Sequence, residues 1–93
     1  MTASRVRLRA LQGTPLSDER VRGTVIAAAE SLAERTGVKV LELRADDASI
    51  TAVLDTDRIA AIGFAAELRR VTSTWYAARH AGEELWGHAE EEQ

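Results

Sequence analysis

The longest run of regularly spaced apolar residues in the chain lies between Asp57 and Ala81. Its apolar positions recur at alternating intervals of three and four residues, and they are Ala61, Phe64, Leu68, Val71, Trp75 and Ala78. Residues three or four apart share one face of an α-helix, so we expect one long helix whose stripe packs on a core. Thr56 or Asp55 is expected to cap its start, and Gly82 to end it.

A second, shorter apolar stripe lies on the other side of this helix and consists of Ile59, Ile62 and Ala66. The first two turns are therefore apolar nearly all round, which is typical of a helix that is buried on two sides. Either another part of the same domain or a second chain is expected to cover this stripe. Gly63 and the alanines around it would allow close approach in both cases.

Residues 4–10 alternate between apolar and charged side chains, which predicts a half-buried β-strand. The residues on its polar side are Arg5, Arg7 and Arg9. An amphipathic helix is then predicted to begin with Ser17 as its N-cap and to end at Gly37. Val21, Val25, Ala28 and Leu32 form its inward face.

Residues 38–45 and 48–55 predict a β-hairpin that turns at Asp46 and Asp47. A two-residue loop sorts the apolar residues onto one face of this hairpin. The cross-strand pairs are then Leu43–Ile50 and Leu41–Ala52 on that face and Val40–Val53 on the other. Asp-Asp is a weaker turn signal than Asp-Gly, so a longer turn stays open as an alternative.

The predicted element order is βαββα, which is an α+β domain with a three-stranded antiparallel sheet and two helices on one face. A right-handed connection through the first helix places the third strand between the other two. This arrangement resembles a ferredoxin-like fold that lacks its last strand, a resemblance of fold that implies no function. Helix–strand–strand–helix order is also similar to part of a roadblock-like domain. Without a last strand, the first strand would be an exposed edge.

The 93 residues suit a single domain, which we assign to residues 1–87, followed by a flexible acidic tail over residues 88–93. The chain has no cysteine, which excludes disulfides, thiolate nucleophiles and cysteine-based metal sites. No apolar run approaches the roughly 20 residues of a membrane helix. Arginines also interrupt any hydrophobic region near the start, so we expect a cytoplasmic protein with no membrane partner.

The net charge of −3 is unevenly distributed, because three arginines lie in the first ten residues and five glutamates in the last eleven. On an open sheet face, Arg5, Arg7 and Arg9 would stand about 7 Å apart, close to the phosphate spacing of a nucleic-acid strand. The alternative function is therefore binding of RNA or another polyanion. The acidic total and the lack of aromatic residues beside these arginines argue against nucleic acid and favour a solvated or ion-paired strand.

His80, Glu84 and His88 are spaced four residues apart and would be able to bind zinc if one helix continued through them. Gly82 and Gly87 interrupt that helix, so we expect exposed histidines, no metal and no cofactor. The sequence contains no recognised nucleophile, phosphate-binding or dinucleotide-binding motif. Catalysis by the isolated chain is not predicted, while a role in completing another subunit's active site stays open.

Trp75, Tyr76 and Trp86 are the remaining candidates for binding. Large aromatic residues with a polar edge are enriched at protein interfaces, although Tyr76 and Trp86 would serve equally well to close one end of a small core. We predict a non-catalytic protein-interaction module that forms a homo-oligomer or joins a larger assembly. Its predicted interface residues are Ile59, Ile62, Ala66, Tyr76 and Trp86.

Overall fold

The computed structural model describes residues 3–87 and the backbone of Glu90–Glu91. Its elements in chain order are β1 (Ser4–Arg9), α1 (Glu19–Thr36), β2 (Lys39–Ala45), β3 (Ser49–Asp55), α2 (Arg58–Arg79) and β4 (Glu90–Glu91), with a 3-10 turn at Pro15–Ser17. The strand order is β2-β3-β1-β4, and all neighbouring strands are antiparallel. The predicted α+β class, the βαββα order and the central position of the third strand are confirmed.

The C-terminal segment lies along the edge of β1 that was predicted to be open. Glu91 is paired with Val6 of β1 and Glu90 with Arg7. Trp86 forms an isolated β-bridge with Ala10, the residue that follows β1. A fourth, two-residue strand is thus added to the three predicted ones. The tail predicted for residues 88–93 lies outside the described residues, apart from the backbone of Glu90–Glu91.

One hydrophobic core lies between the sheet and the two helices. Alternation along β1 decides which side chains enter it, because Val6 and Leu8 are buried while the arginines between them are not. The largest fully buried side chains are Leu8, Leu16, Val25, Leu54, Thr72 and Leu85. Both helices pack on this side of the sheet, and in the described chain nothing covers the other side, which we call the open face. Neither helix of the described part is long and apolar enough to span a membrane.

The register of the β2–β3 hairpin differs from the two-residue loop that the apolar pattern favoured. The observed pairs are Ala45–Ile50, Leu43–Ala52, Glu42–Val53 and Val40–Leu54, with a bulge at Leu41. The turn is longer because the carboxylate of Asp46 accepts hydrogen bonds from the Ala48 amide (2.8 Å) and the Ser49 hydroxyl (3.0 Å). The bulge also exchanges the predicted sides of Val40 and Leu41. Leu41 is 43% exposed, and Val40 packs against the core.

Both helices begin at a different capping residue from the one predicted. Asp18, not Ser17, caps α1 by accepting from the amides of Arg20 and Val21. Asp57, not Thr56 or Asp55, caps α2 by accepting from the Ala60 amide at 2.8 Å. The predicted end of α1 at Gly37 is confirmed. Several Ser, Thr and Asp residues precede each helix, so composition identified the capping segment but not the capping residue.

The buried face of α2 also departs from the predicted stripe in its second half. Ala61, Phe64 and Leu68 are buried as expected, whereas Ala78 is exposed and Thr72 is buried in the core. A strict three–four repeat averages 3.5 residues per turn and drifts by about 20° every seven residues around a 3.6-residue helix. The predicted stripe therefore leaves the core side as the helix proceeds.

Candidate functional sites

The outer face of α2 carries the most exposed large apolar side chain of the described chain. We use this name for Ile59, Gly63 and Ala66, which lie opposite the buried residues of the same helix. Ile59 is 84% exposed, far more than the other large exposed apolar residues, Leu11 and Leu41. No described part of the chain covers this surface. Of the predicted second stripe, Ile59 and Ala66 are thus left uncovered by the described chain, whereas Ile62 is half-buried.

A shallow apolar groove of about 320 Å³ runs beside this surface, between α2 and the end of α1. Its lining residues are Leu32, Thr36, Val38, Ala60, Gly63, Phe64 and Glu67. Gly63 forms part of the groove and also belongs to the outer face of α2. A side-chain carbon built at Gly63 would meet no atom within 4 Å, so the surface there is recessed only because the residue has no side chain.

Charged residues of both signs lie at the rim of the groove. Glu67 accepts two hydrogen bonds from the Arg70 guanidinium, at 3.0 Å and 2.5 Å. This contact, with a smaller contribution from Arg35, lowers the pKa of Glu67 below its ordinary value. Because the pair is exposed, it contributes little to stability, and its charges remain accessible to a partner.

The five residues predicted to form one interface do not lie together. Ile59 and Ala66 are exposed and Ile62 is half-buried on the flank away from the groove. Tyr76 lies about 25 Å from Ile59 and about 15 Å from Ala66 along the same helix, at 1.5 Å per residue. Trp86 is 2% exposed and belongs to the core, so it has almost no surface to offer a partner.

Trp86 is held in the core by a buried hydrogen bond. Its indole nitrogen donates to the Thr72 hydroxyl at 2.8 Å, and that hydroxyl donates to the Leu68 carbonyl at 2.7 Å. Backbone contacts with the end of β1 fix the same segment, because the Gly87 amide donates to the Arg9 carbonyl at 2.9 Å. Of the two roles considered for Trp86, the structure places it in the one that closes an end of the core.

Tyr76 lines a second concave surface, of about 460 Å³, at the C-terminal end of α2. The other residues that line it are Leu11, Gln12, Thr14, Pro15, Glu83, Glu84 and Leu85. The Tyr76 ring stacks on His80 with ring centroids 4.1 Å apart, and the Arg79 guanidinium lies 5.5 Å from the Trp75 ring. Both contacts join residues at the end of α2, so these side chains form a local cluster and not a binding site built from several elements.

The two candidate zinc ligands that the structure describes, His80 and Glu84, do not lie on one helix. α2 ends at Arg79, and His80 is its C-cap and stacks on Tyr76. Glu84 is exposed, and His88 lies outside the described residues. Within residues 3–87 no group of three potential ligands is close enough together to hold a metal ion.

The open face carries a depression of about 360 Å³ that collects two of the three predicted arginines. Arg5 and Arg7 line it together with Arg44 of β2, whereas Arg9 does not. The remaining lining residues are Ala45, Asp46, Ser49 and Thr51. The strand register brings these arginines together, because Arg44 and Arg7 are both paired with Thr51.

Asp46 is the one carboxylate among the described residues that line this depression, and it is held by its own turn. Its hydrogen bond from the Ala48 amide is the main reason that its pKa is lowered, followed by the bond from the Ser49 hydroxyl. Arg7 adds a smaller electrostatic contribution in the same direction. Asp46 is therefore ionised at neutral pH and already has two hydrogen-bond donors of its own.

No protein-family model matches the chain, and no curated protein matches it. What the chain does has to be inferred from its own surfaces.

Proposed function

We propose that this chain is a non-catalytic protein-interaction module, and that its partner is a second copy of itself bound through the outer face of α2 and the adjacent groove. The observation that carries the proposal is Ile59, which is 84% exposed beside an apolar groove with open space at Gly63. Covering an isoleucine side chain fully is worth about 1.5–3 kcal/mol. Burial of this surface against a second copy would therefore contribute favourably to the free energy of association.

A second copy is the partner that the surface suits best, because the projecting Ile59 side chain and the groove at Gly63 belong to the same patch. In a two-fold dimer each chain presents identical residues, so Ile59 of one copy can enter the groove of the other and receive its partner's Ile59 in return. The rim is also self-complementary in charge, since Glu67 and Arg70 lie side by side. A rim of one sign would instead repel an identical copy.

The size of a stable interface defines how much of this surface must take part. Specific dimers bury about 1,200–2,000 Å² in total, or roughly 600–1,000 Å² on each chain. Ile59 alone does not supply that area, so the small residues Ala60, Gly63 and Ala66 and the groove beside them have to be in contact. Because those residues are small, two α2 helices can approach closely.

Gly63→Gln separates association from folding. A Cβ added at position 63 meets no atom within 4 Å, and replacing glycine inside a helix with a better helix former stabilises it by about 0.5–1 kcal/mol. We expect the variant to be as stable as the parent or more so, and to be a monomer by light scattering across a concentration series. An oligomer of unchanged mass would contradict the proposed surface.

Ile59→Glu places a charge in the centre of the same surface and is also expected to give a folded monomer. Leu41→Glu is the matched control, because Leu41 is exposed on the edge strand β2 and not on α2. It is expected to leave the mass unchanged, with far-UV circular dichroism confirming the fold of both variants. If Leu41→Glu dissociates the protein and Ile59→Glu does not, the association runs through the sheet edge instead.

A cytoplasmic location is part of the same proposal and is supported by the absence of cysteine. The second candidate function is binding of a polyanion by the open-face arginines. It is favoured by one observation, the depression in which Arg5 and Arg7 lie together with Arg44.

A further inference from the structure

We infer that the depression on the open face is a binding site for a phosphate group, which Arg7, Arg44 and Thr51 hold from three neighbouring strands. This inference narrows the second candidate function to one ligand chemistry and a defined set of residues. It is independent of self-association through α2.

The strand register centres the site on Thr51. Arg7 of β1 and Arg44 of β2 are both direct cross-strand partners of Thr51 on β3. Directly opposite residues lie on the same face of a sheet, and neighbouring strands are about 4.8 Å apart, so the two arginines flank the threonine at about 10 Å from each other. Their side chains are long enough to meet above the Thr51 hydroxyl, and two guanidinium groups brought together in this way favour an anion between them.

The described residues that line the depression carry more positive than negative charge, in contrast to the whole chain. They include three arginines and one carboxylate, whereas the chain as a whole has a net charge of −3. The carboxylate, Asp46, is engaged by its own turn. Arg44 pairs with Glu42 at 2.8 Å, but both side chains are largely exposed, and exposed pairs are worth at most about 1 kcal/mol. A phosphate dianion can therefore compete for Arg44.

The shape and composition of the depression favour a phosphate group over a nucleobase or a long polyanion. Its volume of about 360 Å³ lies at the lower end of the range of small-ligand pockets. β1, β2 and β3 contain no aromatic residue on which a base could stack. Arg9 does not line it, so the arginines form a compact cluster rather than a continuous track. Guanidinium groups and a hydroxyl are the donors that a phosphate accepts.

The test is a titration of the isotope-labelled full chain with pyrophosphate, in which NMR monitors the chemical shifts of the backbone amides. We expect saturable shifts centred on Thr51 and Arg44. Arg44→Gln is expected to weaken binding about tenfold, because hydrogen bonds between guanidinium and phosphate are charge-assisted. Since the Arg44 side chain is 78% exposed, its replacement is not expected to disturb the fold.

Arg9→Gln is the matched control, because it also removes one arginine charge from the sheet but at a position that does not line the depression. It is expected to change the affinity less than about twofold, through long-range electrostatics alone. A parallel titration with single-stranded oligothymidylate distinguishes a free phosphate compound from a nucleic-acid backbone; in either case Arg44→Gln must weaken binding more than Arg9→Gln does. Equal effects of the two variants, or no saturable shifts with either ligand, would overturn the inference.

Discussion

At the scale of single residues, the pair Trp86 and Thr72 shows how a small core accommodates a polar group. Both side chains are buried, at 2% and 1% exposure, and the Thr72 hydroxyl accepts the hydrogen bond that the Trp86 indole donates. A buried indole N–H without an acceptor would cost free energy, which makes a threonine at position 72 more suitable than an aliphatic residue of equal size. Trp86 thereby ties the segment after α2 to the helix itself.

Thr72→Val removes this acceptor while keeping the shape of the side chain. We expect the free energy of unfolding to fall by about 1–3 kcal/mol, because the Trp86 N–H is left buried and unpaired. In a Trp86→Phe background the same change is expected to cost clearly less, since no donor remains to be satisfied. Urea denaturation followed by circular dichroism measures both. An equal cost in the two backgrounds would show that the hydrogen bond contributes nothing.

At the scale of elements, the two helices end in the same kind of geometry with different residues. α1 ends at Gly37, whose φ of 74° lies in the left-handed region that glycine adopts without strain. After α2, Ala81 has a φ of 55°, and the amide of Gly82 donates to the Ala77 carbonyl at 2.8 Å. A residue with a Cβ adopts this conformation at a cost of about 1 kcal/mol or more.

Exchanging the residue types at these two positions is expected to change stability in opposite directions. Ala81→Gly relieves the left-handed strain and should raise the free energy of unfolding by about 0.5–1 kcal/mol, whereas Gly37→Ala should lower it by about 1 kcal/mol. No atom lies within 4 Å of a carbon added at Gly37, so the second change tests the backbone alone. Denaturation midpoints in urea report both. Changes of the same sign would contradict this account of the helix ends.

At the scale of the whole molecule, the two proposed surfaces lie on opposite sides of the fold. The outer face of α2 points away from the sheet, and the arginine depression lies on the sheet face that no described element covers. A layer of core side chains separates the two surfaces. A two-fold contact through α2 would therefore leave both open faces accessible, and the dimer would present two phosphate sites pointing outward.

This separation predicts that association and anion binding are independent. Gly63→Gln should bind pyrophosphate with the affinity of the parent while being a monomer, and Arg44→Gln should keep the parent's mass while binding more weakly. Additivity is expected for sites that share no partners and lie more than about 10 Å apart. Light scattering with and without saturating pyrophosphate measures whether the anion changes the molecular mass. Loss of phosphate binding in the monomer would mean that the anion site needs both chains.

The sequence by itself determined three of the strands, the two helices and their order, because each depends on periodicity and punctuation within a short segment. Alternation predicted β1 and its arginine side, a helical repeat predicted α1 and α2, and Gly37 marked the end of α1. The exposed stripe at the start of α2 was also visible, since Ile59 and Ala66 lie on one helix face by spacing alone. Short-range rules are sufficient where the physical cause is local.

Only the tertiary structure decided which of these elements meet, and how. The bulge at Leu41 and the longer turn at Asp46 set the hairpin register, and that register places Arg44 beside Thr51 and Arg7. Trp86 reaches Thr72 across 14 positions and becomes part of the core rather than of an interface. These outcomes depend on competition between alternative pairings of distant segments, and packing resolves that competition only when the whole chain is folded.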